Sequence, residues 1–413
     1  MNTILSKSTA SQFIEIEAQY GAHNYHPLPV VLERGEGVHL WDVNGKQYYD
    51  FLSAYSAVNQ GHCHPKIINA LVTQAQKLCL TSRAFYNDQL GSYEKYITQL
   101  FGYDKVLPMN TGAEGVETAI KLCRKWAYLI KKIPENQAKI IVFEGNFHGR
   151  TMSAVSASTD PTSYKNFGPF LPGFIKIPYN DLSSLEHAIS QEHVAGILIE
   201  PIQGEAGVII PSDDFLKTAY ALCKSYNVLF IADEIQTGIA RTGKMLACDH
   251  VAIKPDILIL GKALSGGVLP ISAILTSNEI MLCIQAGEHG STFGGNPLAA
   301  AVAKASLEVI LEEGLIENAK EMGEILRSEL TSIQQKNRLI KTVRGKGLLN
   351  AIVIDTDENS EIAWKICLEM AKNGLLAKPT HGNIIRLAPP LCITKEQILE
   401  TSFMIQKAIH SFS

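Results

Sequence analysis

The chain has 413 residues, 46% of them hydrophobic and 19% charged, enough to bury a large core and to divide into at least two domains. A formal net charge of -4 and a pI near 6.3 offer no attracting field to nucleic acid or an anionic membrane surface. No apolar run reaches transmembrane length, so chemistry on a small molecule is the expectation.

Eight cysteines are scattered without a C-x-x-C pair, mostly in apolar runs, which reads as reduced core thiols. Met1 to Ser11 shows neither an apolar signal core nor an Arg-rich transit pattern. Both features point to the cytoplasm.

A polar lead and a short helical segment, Gln12 to Gln19, open the chain. Two prolines in His23-Asn24-Tyr25-His26-Pro27-Leu28-Pro29 then enforce an extended path. Val38 to Asp42 and Lys46 to Phe51 flank Asn44-Gly45 and predict a β-hairpin. Tyr55 follows in a loop of small and apolar residues. His62-Cys63-His64 has metal-like spacing, but no further ligand cluster lies nearby and Pro65 follows. A turn entering the helix Pro65 to Leu78 is the better reading, and no metal is expected.

Asn110-Thr111-Gly112-Ala113-Glu114-Gly115 feeds a helix over Val116 to Ile130. Such a helix start suits a phosphate, and it equally suits a plain cap made by Thr111; neither G-x-x-x-x-G-K-[ST] nor G-x-G-x-x-G occurs. A strand over Lys139 to Phe143 ends in a Gly-bracketed turn carrying Phe147, His148 and Arg150. Phe147 offers a flat face and Arg150 a fork for a carboxylate. The strand Ala195 to Ile199 delivers Glu200-Pro201-Ile202-Gln203-Gly204-Glu205. After a helix over Asp214 to Ser225, the strand Val228 to Ala232 delivers Asp233. A carboxylate there needs a cation, so it is either a cap or salt-bridge partner, or the partner of a protonated ring nitrogen.

Ile257 to Leu260 is a short apolar strand that stops at Gly261 and presents Lys262 among small residues. Lys is the side chain that condenses with a carbonyl as a Schiff base when its neutral amine is populated. One Lys past a strand is usually a solvated charge. Here, strands ending near 143, 199, 232 and 260 all release functional groups at their carboxyl ends, as a parallel sheet beneath one site would. His289 to Asn296 is a further small-residue loop, carrying Thr292. From about residue 304 helices and short strands alternate: Leu307 to Gln334, Leu348 to Ile354, Glu361 to Asn373, Ile384 to Leu387 and Lys395 to His410. These form a second, smaller α+β domain that the N-terminal hairpin should complete.

The stretch from Asp233 to Gly238, the Lys262 segment and Phe147-His148-Gly149-Arg150-Thr151 together resemble the class III pyridoxal-phosphate aminotransferases of fold type I. The resemblance runs from about residue 20 to the carboxyl end. It implies a large domain over 56–303 with a mostly parallel seven-stranded sheet, a small domain over 304–413, and an N-terminal segment, 1–55, packing with it. It also implies pyridoxal 5'-phosphate held by Lys262, with Asp233 on the ring nitrogen, Phe147 stacked on the ring and Gln236 on its phenolic oxygen. Gly112 and Ala113, with Thr111, would serve the phosphate. Thr292 would reach the phosphate of a neighbouring subunit in a homodimer with shared sites.

A second set of segments, around Tyr25, Tyr55, Glu205 and Lys378, resembles the members that act on the δ-amine of L-ornithine with 2-oxoglutarate as acceptor. It implies Arg150 for the ornithine α-carboxylate, Tyr25 for its α-amino group, and Tyr55 lining the pocket. Arg386 would take the α-carboxylate in the second half-reaction and be paired with Glu205 in the first. N-acetylornithine and other ω-amines such as 4-aminobutyrate are the rival substrates. Two departures stand out: Ala113 where relatives often carry a small hydroxyl residue, and His148 where some carry a larger aromatic.

Overall fold

The computed structural model describes residues 9–412, so most of the polar lead lies outside the described residues. At its centre is a seven-stranded sheet in the order Lys105–Met109, Ser272–Thr276, Ile257–Leu260, Leu229–Asp233, Val194–Ile199, Lys139–Phe143, Phe174–Ile177. Every pair from Ile257–Leu260 onward is parallel, while Ser272–Thr276 runs antiparallel to both of its neighbours. The central strands are buried along their whole length. That is why the parallel ones among them, Val194–Ile199, Leu229–Asp233 and Ile257–Leu260, read as near-continuous apolar runs instead of alternating ones.

Helices cover both faces. Gly112–Leu129 buries Val116, Ile120 and Cys123 beside Ile140, Ile231 and Ile259 on one side; Asp213–Ser225 buries Phe215 and Ala219 in the core on the other. The parallel strands therefore share one carboxyl edge, and the connections that follow them share one cavity.

The N-terminal strands Leu32–Glu36, His39–Asp42 and Gln47–Asp50 form a sheet whose fourth member is Leu375–Leu376, paired parallel to Tyr49 and Asp50. A third sheet takes Ile340–Lys346, Leu349–Ile354, Ile384–Leu387 and Lys378–Thr380. The helix expected over Leu307 to Gln334 is two helices, Pro297–Glu312 and Leu315–Lys336. Gly314 lies between them at φ 62, a left-handed conformation that ends one helix and starts the next. No helix among the described residues is long and apolar enough to cross a membrane.

His62 and His64 already have partners: His62 meets Asp50 at 2.7 Å, and His64 meets Glu313 at 2.8 Å while capping Lys66 N–H. Among the described residues no group of three His, Cys, Asp or Glu could hold a metal ion.

Candidate active site

The cavity at the carboxyl edge, about 210 Å³, is lined by residues from each of the expected connections, among them Gly112, Ala113, Phe147, Asp233, Gln236 and Lys262. Lys262 follows Ile257–Leu260 with φ 44, a left-handed backbone rare for a side chain with a Cβ. Gly261 lets the backbone pass: a Cβ there would meet Ile235 at 3.2 Å. Burial pushes the Lys262 amine down to about 8, against the opposing pull of Glu205. The neutral, nucleophilic amine is thus accessible near physiological pH.

Asp233 ends its strand and is buried. Its Oδ1 accepts from Ile235 N–H at 3.2 Å and its Oδ2 from His148 Nδ1 at 2.7 Å. His148 is itself buried, and the Asp233 bond lifts its proton affinity despite burial. The sequence places His148 in the Gly-bracketed turn without a role; the structure makes it the partner of the central carboxylate. A signal was present in the turn Gly145-Asn146-Phe147-His148-Gly149, where both glycines have positive φ and cramp the connection enough to turn two consecutive side chains inward.

Thr111 is the N-cap of Gly112–Leu129: its hydroxyl accepts Glu114 N–H at 3.2 Å, and Glu114 returns a bond to the Asn110 N–H at 2.7 Å. The cap and the phosphate reading coexist, because the Gly112 and Ala113 N–H groups have no intrahelical acceptor and both residues line the cavity. Phe147 lines one wall, and the Arg150 guanidinium sits 5.0 Å from its ring centre while donating to Ser163.

The Glu205 side closes the pocket. Arg386 lies on the buried strand Ile384–Leu387, and its Nη1 donates to Glu205 Oε1 at 2.9 Å and to Gln236 Oε1 at 3.4 Å. Gln236 Nε2 in turn donates to Glu205 Oε1 at 3.2 Å. Tyr55 sits in a run of four left-handed residues, Ser53 to Ser56, placing its ring 4.8 Å from the Arg386 guanidinium. The run is held by Asp50, which accepts from Leu52 and Ser53 N–H, and by Ser53 Oγ donating to Ala388 O at 2.7 Å. Because Ala388 follows the Arg386 strand, the same bond aligns Tyr55 with Arg386.

Thr111, Tyr55, Arg150 and Arg386 do not line the cavity themselves but adjoin residues that do, whereas two further expected residues are exposed within one chain. Tyr25 is 77% exposed on the extended segment, and Thr292 is exposed on its loop.

A flat aromatic wall, a buried carboxylate facing the same space, a half-buried amine and a free helix start suit the ring, ring nitrogen, aldehyde and phosphate of pyridoxal phosphate. The chain belongs to the class-III aminotransferases: the family Aminotransferase class-III matches residues 20–409. These are pyridoxal-phosphate transaminases of fold type I. The mitochondrial ornithine aminotransferase of Drosophila melanogaster is 62% identical over 395 residues, 96% of this chain and 90% of that one. Among solved structures, the Toxoplasma gondii ornithine aminotransferase, with pyridoxal phosphate at partial occupancy, superposes with a TM-score of 0.97 at 47% identity, covering 98% and 95% of the two chains. The acetylornithine aminotransferase of Elizabethkingia anophelis superposes with a TM-score of 0.91 at 60% identity, covering 98% and 100%.

Proposed function

We propose that the protein transfers the δ-amino group of L-ornithine to 2-oxoglutarate, giving L-glutamate 5-semialdehyde and L-glutamate in two alternating half-reactions. The observation that carries this reading is the Glu205–Arg386 pair at the edge of the cavity, with a second guanidinium, Arg150, set against the ring of Phe147 in its wall. Bound pyridoxal phosphate supplies the electron sink that lets an amino group leave one carbon and enter another. Lys262 would hold the cofactor and its amine would move a proton at the reacting carbon. Asp233, kept in place by His148, would serve the ring nitrogen and Gln236 the phenolic oxygen. Phe147 would offer its face to the ring, and Gly112, Ala113 and Thr111 would serve the phosphate.

Two substrates demand two anchoring modes. With Glu205 paired to it, Arg386 is unavailable, so ornithine is held by Arg150 at its α-carboxylate and by Tyr25 and Tyr55 near its α-amino group, presenting the δ-amine. When 2-oxoglutarate or glutamate enters, Arg386 is released to take the α-carboxylate. The switch discriminates by making the wrong orientation face an ion pair.

A homodimer with shared sites belongs to the same reading. It is supported by Thr292 lying outside its own chain's cavity and by the exposed Phe85, Tyr86 and Phe293. The division into residues 1–55, 56–303 and 304–413 is supported by the pairing of Leu375–Leu376 with the N-terminal hairpin. A cytoplasmic location rests on eight free cysteines, and cell fractionation tests it, the fly relative being named mitochondrial. The reaction would link arginine-derived ornithine to proline precursors.

The high identity to an acetylornithine aminotransferase favours N-acetylornithine as the second reading. Tyr25 separates them, since acetylation removes the charge it would recognise. Turnover of ornithine, N-acetylornithine and 4-aminobutyrate with 2-oxoglutarate tests the choice. Ornithine is expected to be the best amine, and preference for the acetylated one would reject the proposal.

A further inference from the structure

Glu200 enters the same cavity from the end of Val194–Ile199, and none of the roles above uses it. Its side chain is buried; Oε1 accepts Phe147 N–H at 2.8 Å and Oε2 lies 3.4 Å from Gly204 N. The residue after Phe147 is His148, whose Nδ1 is bonded to Asp233 and whose Nε2 is buried without a partner. The stronger of these two bonds, from Phe147 N–H, calls for an oxygen, not an acid, so an amide would still make it. A second buried acid beside Asp233 is costly unless protons are shared among the groups.

We propose that Glu200 is a positioning residue that clamps the Phe147–His148 turn and whose charge, in the same cavity as His148 and Asp233, helps set the charge presented to the cofactor's ring nitrogen. The inference rests on the reading that this cavity holds pyridoxal phosphate.

The surroundings agree with it. Burial pushes the Glu200 carboxyl up to about 7, with His148 pulling the other way and Asp233 adding to the rise. The charged and titratable groups around it come from four other connections: His148, Asp233, Lys262 and Tyr179, the last donating to the Glu200 main-chain oxygen at 2.8 Å. Ionised Glu200 raises the proton affinity of both His148 and Lys262. Removing its charge must therefore lower both.

Glu200→Gln keeps the length and the acceptor for Phe147 N–H while removing the acid. The readouts are the imidazole titration of His148 by nitrogen NMR, in cofactor-free protein and holoenzyme, and the pH midpoint of the visible cofactor band. In E200Q both midpoints are expected to fall by about half a unit or more, with kcat lowered and KM little changed. The spectral shift should shrink, leaving only the direct effect on Lys262, when E200Q is made in a His148→Asn background. Glu200→Asp keeps the charge at shorter reach and should leave the band midpoint close to wild type. A His148 titration unchanged in E200Q, or a spectral shift of undiminished size without His148, overturns the proposal. A wild-type chain that takes up no cofactor would instead refute the functional reading, and the cofactor-free imidazole titration would still decide the role of Glu200.

Discussion

Arg386 and Glu205 meet at 2.9 Å, with the Arg386 side chain only 3% exposed and Glu205 27%. Burial alone would raise the Glu205 carboxyl, but the guanidinium holds it down at about 2. Both groups are thus charged at neutral pH. Because the folded value lies below the usual 4.5, the pair stabilises the fold above pH 4.5 and loses that contribution as pH falls toward 2.

Glu205→Ala leaves the buried guanidinium with only Gly204 O and Gln236 Oε1, each at 3.4 Å. It should lower stability by about 3 kcal/mol, read by denaturant unfolding at neutral pH. Stopped-flow half-reactions should show glutamate still reacting while selectivity for the δ-amine over the α-amine of ornithine falls. Undiminished selectivity would remove the switch.

Gly204 sits against the pocket side of Gln236: a Cβ there would lie 1.3 Å from Gln236 Oε1. Gly204→Ala should fold, because the obstructing atom is the tip of a flexible side chain, but it should push Gln236 out of the cavity. The expected result is weaker cofactor retention in equilibrium dialysis with a near-normal unfolding midpoint.

Arg241 ties three separate parts of the chain together from a fully buried position. Its guanidinium donates to Asn59 Oδ1 at 2.6 and 3.1 Å, to Leu348 O at 3.0 Å and to Pro389 O at 2.6 Å. Arg241→Met removes the donors and strands these acceptors, each costing about 1–3 kcal/mol when buried and unpaired. A fall of about 3 kcal/mol or more in unfolding free energy is expected, with the KM for ornithine little altered in protein that remains folded.

Lys262, held near 8, should shape how cofactor-free protein captures pyridoxal phosphate. The neutral amine is the reacting form, so the capture rate should rise with pH and level off just above 8. A surface lysine would keep rising to the usual 10.5. Rapid-mixing absorbance between pH 6 and 10 checks this, and a rate still climbing tenfold per unit at pH 9.5 would contradict the amine held near 8.

What the sequence made legible was the carboxyl edge of the sheet. Ile257–Leu260 and Val194–Ile199 are apolar throughout, and Leu229–Asp233 up to its last residue, because they are covered on both faces, and each hands over a polar residue as it leaves the core. Lys105–Met109, with Lys at its start and Pro within it, and Ser272–Thr276, with Ser and Thr at its ends, lack that unbroken pattern. Only pairing with each other and with Ile257–Leu260 makes them strands. Side-chain partnerships across the fold were equally out of reach. His148 and Asp233 are 85 positions apart, and the left-handed run that sets Tyr55 over Arg386 depends on Ala388, 335 positions from Ser53.

Nitrogen labelling tests the central claim most directly. Ornithine carrying nitrogen-15 at the δ position, incubated with holoenzyme and 2-oxoglutarate, should yield labelled glutamate, whereas the same label at the α position should remain in the semialdehyde or its cyclised form. Glutamate labelled from the α position, or left unlabelled in both experiments, would contradict the account.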